Sequence, residues 1–133
     1  MADRRPAAWN QWAEVVGRDA RSPRFIGDMP HGWVASDFIN AVLDMLAYER
    51  SSDGALVLGA GLPDAWLEEV GVSVERLRTP YGLLTYTLRS NGERGFLTYT
   101  LDGHAPPGGL VLERSAGRSL ALKGLHGRLE FAL

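Results

Sequence analysis

The stretch "GLLTYTLRSNGERGFLTYTL", Gly82 to Leu101, contains the pentapeptide Leu-Thr-Tyr-Thr-Leu twice, at Leu84–Leu88 and again at Leu97–Leu101. Apolar residues alternate with threonine in both copies, which is the period of a strand with one buried face. Between the copies stands Asn91-Gly92, a dipeptide that readily takes the positive φ angles of a tight hairpin turn. A two-residue turn there predicts that Tyr86 faces Leu97 and Leu84 faces Tyr99. Leu84, Tyr86, Leu88, Leu97, Tyr99 and Leu101 then share the interior face, and Thr85, Thr87 and Thr98 the other. A one-residue slip would turn every apolar side chain outward, so the pattern fixes which face is buried. The repeat is that of a hairpin, not of a duplicated functional unit.

The texture of this hairpin extends in both directions. "ALVLGA" (55–60), "VSVERL" (72–77), "GLVLER" (109–114), "SLALK" (119–123) and "RLEFA" (128–132) are short strand candidates separated by glycine- and proline-bearing turns, with "PDAWLEEV" (63–70) a short helix opened by Pro63. About seven strands without crossover helices predict an antiparallel β-sandwich over residues 51–133, beginning at the turn Ser51–Gly54. Residues 1–50 read as two helices. Trp9, Trp12, Ala13 and Val16 form one apolar stripe between Pro6 and Gly17; Val34, Phe38, Val42, Met45 and Leu46, with Ile39 and Leu43 beside them, form another from Trp33 to Tyr48. In the second helix only Asp37, Asn40 and Asp44 make a polar face, so it needs cover on several sides. The fold class expected is mainly β: a C-terminal antiparallel β-sandwich of about seven strands preceded by two α-helices. The helices are expected to meet a partner.

The 133 residues are 45% hydrophobic and 23% charged, enough for a real core. The 14 basic and 16 acidic residues are interspersed and leave a formal charge of -2, which argues against nucleic acid and anionic membranes as partners. The absence of cysteine excludes disulfides, thiolate metal sites and a cysteine nucleophile. No stretch reads as a signal peptide or a membrane span, so the chain is expected to be soluble, with its compartment open.

One motif could carry chemistry. In "GDMPHGW" (27–33), Asp28 and His31 could act as an acid and base couple and Trp33 could stack on a sugar, with Asp37 one helical turn further on. The alternative reading is structural: Pro30 starts the helix, Asp28 caps its N–H groups, and Trp33 is core. His104 and His126 lie in glycine-containing turns without a second ligand, and Glu68 and Glu69 are consecutive on a helix, so neither a metal nor a paired-carboxylate site is expected. No nucleophile elbow or phosphate loop is present, and no cofactor is implied. Tyr86 and Tyr99 alternate with leucine and so belong to the buried side, which leaves no exposed aromatic row.

The succession "RFIGDMPHGWVASDFINAVLDMLAYE", "LVLGAGLPDAWLEEVGVSVERLRTPYGLLTYTLR" and "PPGGLVLE" resembles the C-terminal region of bacterial six-hairpin (helical toroid) glycosidase-like proteins. These are similar to alpha-L-rhamnosidases, and some are named for a discoidin (coagulation factor 5/8 type) module. The likeness runs from about Pro6 to Arg114. It implies that the two helices are the last of a toroid and that the sandwich is a non-catalytic unit, since the carboxylates of such enzymes lie in earlier helices. Asp28, His31, Trp33 and Asp37 would then be candidates for a substrate rim. The partners implied are an upstream helical toroid, or a second copy through the helices, and a carbohydrate. The other readings are an independent carbohydrate-binding module, which would need an exposed aromatic cleft, and a small enzyme centred on Asp28, His31 and Asp37.

Overall fold

The computed structural model describes residues 11–17, 19, 21, 25–114 and 117–133. In chain order the elements are β1 (Val15–Val16), β2 (Phe25–Ile26), α1 (Gly32–Leu46), β3 (Ala47–Arg50), β4 (Ala55–Leu58), a 3-10 turn (Asp64–Trp66), β5 (Val72–Thr79), β6 (Gly82–Ser90), β7 (Arg94–Gly103), β8 (Leu110–Arg114), β9 (Arg118–Leu122) and β10 (His126–Ala132). Two compact units divide the chain, Met1–Val42 and Leu43–Leu133.

The hairpin of β6 and β7 forms with its faces as expected and its register shifted. Tyr86 pairs with Tyr99, Leu84 with Leu101 and Leu88 with Leu97, and the last pair is Ser90 with Gly95. The connection is therefore longer than an Asn-Gly turn. Asn91 is the reason: its side-chain Oδ1 accepts the N–H groups of Glu93 at 3.2 Å and Arg94 at 2.8 Å, and its own N–H donates to the Arg94 carbonyl at 3.1 Å. Gly92 supplies the left-handed residue at φ +89°. A shift of two residues preserves the pleat, so Leu84, Tyr86, Leu88, Leu97, Tyr99 and Leu101 all lie inside, none more than 4% exposed.

Two four-stranded sheets result, ordered β10-β7-β6-β5 and β3-β4-β8-β9. All seven strand candidates form, together with an eighth, β3. The sandwich is not wholly antiparallel, because β4 and β8 run parallel, Val57 beside Val111. The chain between them travels through the facing sheet as β5, β6 and β7, so the parallel pair needs no crossover helix. Leu56, Leu58, Leu110 and Leu112 of one sheet share a single core with Val74 and the six hairpin residues of the other, completed by Leu62, Leu67 and Tyr81. On the opposite face of β4 and β8, Ala55, Val57 and Val111 are also buried, with Tyr48 packed against them. The Tyr48 hydroxyl reaches over β4 to the Glu113 carboxylate on β8 at 3.5 Å.

β3 begins where the helical spacing predicts that the helix continues to Tyr48. The helix ends at Leu46 because its carbonyl is taken by other partners, the Gly59 N–H and the Tyr86 hydroxyl, each at 2.9 Å. These satisfy an end group that α1 itself leaves open. Arg114, at the end of β8, is a second tie. Its side chain is buried, Nη1 donates to the Gly59 carbonyl at 3.0 Å, and Nη2 pairs with the Asp64 carboxylate of the 3-10 turn. At the free edge of the hairpin sheet, β5 has a bulge between Val74 and Leu77, with Arg76 at φ +51° and its N–H donated to Thr85 Oγ1 at 3.1 Å.

In the N-terminal unit the expectation of two helices is corrected to one among the described residues. Residues 11–13 have no regular structure and Val15–Val16 is a strand paired with Phe25–Ile26; the start of the predicted first helix, with Trp9, lies outside the described residues. Two adjacent β-branched valines followed by glycine favour an extended segment once a partner strand is available. Trp12 packs its ring on Phe38 of α1, centroids 4.6 Å apart. None of the 15 residues of α1 is buried. No helix among the described residues is long and apolar enough to cross a membrane.

Candidate functional site

The segment "GDMPHGW" is held by its backbone. Gly27 adopts φ +81°, a conformation that favours glycine, and a Cβ there would displace the Glu14 carboxylate. The Asp28 N–H donates to Glu14 Oε2 at 3.1 Å, the Glu14 N–H to the Asp28 carbonyl at 3.0 Å, and the His31 N–H to the Trp12 carbonyl at 2.7 Å. Met29–Pro30 is a cis peptide. His31 is the last residue before the helix. Its Nδ1 accepts the Val34 N–H at 3.3 Å and its carbonyl accepts the Ala35 N–H at 3.2 Å. His31 thus performs the capping that the structural reading gives to Asp28, satisfying an N–H that the first turn leaves without a partner. With Nδ1 engaged in this bond, Nε2 is the ring nitrogen left for other partners.

Trp33 is not core: it is 81% exposed, edge-on to the His31 ring with centroids 6.2 Å apart. Asp28 and Asp37 are exposed, and among the described residues no hydrogen bond joins either carboxylate to His31. The segment therefore brings His31 and Trp33 together and does not assemble Asp28, His31 and Asp37 into one hydrogen-bonded centre. The other candidates are structural. The His104 N–H donates to the Tyr81 carbonyl at 2.9 Å and its ring lies edge-on to that tyrosine, while His126 opens β10 opposite Thr100. Glu68 and Glu69 follow the 3-10 turn, with Glu69 at φ +58°. Among the described residues no group of three His, Asp or Glu could hold a metal ion.

A second place on the molecule gathers functional groups, the outer face of the hairpin sheet. Thr87 pairs with Thr98 and Thr85 with Thr100, forming a hydroxyl-bearing centre. Beside it, Thr98 pairs with Arg128 and Phe96 with Glu130 across β7 and β10. These four residues, with Leu97 and Leu129, line a groove of about 460 Å³. Phe96 is 42% exposed. The Arg94 guanidinium pairs with the Glu130 carboxylate. The sequence reading passed over this groove, although "GFLTYTL" carried its signal: Phe96 is out of phase with Leu97, Tyr99 and Leu101 and so is an aromatic on the polar side. No protein-family model, curated protein or solved structure matches the chain.

Proposed function

We propose that the chain is a non-catalytic β-sandwich unit of a carbohydrate-active, glycoside hydrolase-like protein, with a structural or interaction role. The observation that supports the non-catalytic part of this reading is the capping role of His31; the carbohydrate-active part rests on the sequence resemblance. With Nδ1 spent on the Val34 N–H, the segment that offers an acid and base couple by residue type is occupied in starting a helix. The exposed helix supports the interaction role. Trp33, Ile39, Val42 and Leu43 expose 81, 56, 39 and 39% of their surface, and exposed large apolar side chains are what an interface uses. The partner is a helical toroid or a second copy of this chain.

The test is hydrolysis by the purified chain, using nitrophenyl glycosides that span the common hexoses and 6-deoxyhexoses. The expected result is release at the buffer rate, because glycoside cleavage needs two carboxyl groups placed across the scissile bond. Turnover that disappears in both Asp28→Asn and His31→Asn would overturn the reading in favour of a small enzyme centred on Asp28, His31 and Asp37.

A further inference from the structure

We propose that the groove between β7 and β10 is a binding site for a neutral saccharide, with Phe96 as the stacking surface and Thr98, Arg128 and Glu130 as the groups that bind its hydroxyls. This rests on the carbohydrate reading above and gives it a location in the molecule.

The argument begins with Phe96. On this face its cross-strand neighbours are Arg89 on β6 and Glu130 on β10, so a ring 42% exposed stands among charged side chains rather than in an apolar cluster. It is too isolated to be a protein-docking patch, which would need a continuous apolar area of several hundred square ångströms. A single ring beside dense hydrogen-bonding groups suits a ligand that is apolar on one face and polar around its rim. A pyranose presents C–H groups along one face, which match the negative face of an aromatic ring, and hydroxyls around its edge.

The polar groups are complementary to that rim. Directly opposed residues on paired strands place their Cβ atoms about 5 Å apart, so Glu130 opposite Phe96 and Arg128 opposite Thr98 put an acceptor, a donor and a hydroxyl around the ring on the scale of one sugar. Arg94 pairs with the Glu130 carboxylate at the rim of the groove. Arg89, Arg94 and Arg128 outnumber Glu130 around this ring, so an inorganic anion is the competing ligand that the test must include. The volume of about 460 Å³ falls within the usual range for small-ligand pockets. An open groove with few contacts predicts a weak site, with Kd on the order of 1 mM.

The test is a titration of the whole chain by amide correlation NMR. The probes are neutral mono- and disaccharides of hexose and 6-deoxyhexose type, with inorganic phosphate as the comparison. The proposal expects saturable shifts confined to residues 94–100 and 126–132. Phe96→Ala should weaken binding at least tenfold and Arg128→Gln several-fold, while Ser73→Ala on β5 leaves it unchanged; amide spectra of each variant report folding independently of binding. The proposal is overturned by no saturable shift with any saccharide, by wild-type affinity in Phe96→Ala, or by phosphate displacing these resonances when no sugar does. Saccharide shifts centred on α1 around Trp33 would also overturn it while leaving the carbohydrate reading in place. Cleavage of a disaccharide during the titration would sink the non-catalytic reading and leave the groove standing.

Discussion

β4 and α1 are both strongly apolar segments, and they have opposite fates. Ala55, Leu56, Val57 and Leu58 of β4 are all at most 1% exposed, whereas no residue of α1 is buried. Hydrophobicity of the segment does not separate them; the supply of facing surface does. β4 is a central strand with a sheet neighbour on each side, the leucines of β6 and β7 across its inner face and Tyr48 over its outer face. The helix has Trp12 against Phe38 and much of its remaining apolar circumference in water. The sandwich is satisfied within its own sequence. The helix keeps apolar surface that no described residue covers, which is the feature the proposed interaction role uses.

The contrast can be tested by substitution, starting where the effect should be largest. Tyr86→Ala and Leu97→Ala remove side chains that are 1% exposed and should each cost about 2–5 kcal/mol in denaturant unfolding. An unchanged midpoint for both would mean that the hairpin does not hold the core. Next come the two halves of the Arg114–Asp64 tie, which should be unequal. Arg114 is 4% exposed in its side chain and Asp64 52%, so Asp64→Ala leaves a buried guanidinium without its carboxylate, while Arg114→Met leaves a half-exposed carboxylate. Asp64→Ala is expected to cost about 3 kcal/mol and Arg114→Met about 1 kcal/mol, and the reverse order would refute this account of the tie.

The cap is smaller. His31→Ala should destabilise the start of α1 by about 1 kcal/mol, read as faster amide exchange at Val34, and His31→Asn should restore much of the protection because asparagine also caps. A smaller effect still belongs to Asp53, whose carboxyl is held down to about 2 by the Arg50 guanidinium and then by the Ala55 N–H. Its folded-state pKa lies below the ordinary carboxylate value, so its contribution is present above about pH 4 and is lost as pH falls towards 2. The stability difference between the wild type and Asp53→Asn should close over that window. The least effect on stability is expected from Trp33→Ser with Ile39→Ser, within about 0.5 kcal/mol, since both residues are exposed. The same double variant should dissociate a self-associated species in sedimentation if a second copy covers the helix; a wild type that is monomeric at tens of micromolar points instead to a different partner.

What was legible in the sequence follows the range of the interactions involved. Short apolar runs bounded by glycine- and proline-bearing turns are local and marked all seven strand candidates, and alternation marked the buried face of the hairpin. Register was legible only to within an even shift, because choosing between a two-residue turn and the longer loop depends on the Asn91 side chain capping its own successors. β3 was hidden because Met45, Leu46 and Tyr48 continue a helical spacing, while the partners that end the helix, Gly59 and Tyr86, lie far along the chain. The pairing of Val15–Val16 with Phe25–Ile26 has the same long-range origin. The cap by His31 was missed because histidine is outside the usual set of capping residues. Phe96 could be seen as out of phase, but its neighbours Arg128 and Glu130 come from a strand about thirty residues later and become neighbours only through the β10–β7 pairing.

The bulge in β5 interrupts one of the two edges of the hairpin sheet. A regular outer strand would present an unbroken row of N–H and C=O groups, onto which another chain's strand could add, and then another. With Arg76 turned to φ +51° and its N–H given to Thr85, that row is interrupted midway and charged residues stand beside the gap. Strand addition is hindered at this side of the sheet; at the other side β10 keeps a regular edge, so any strand that adds to this sheet is directed there.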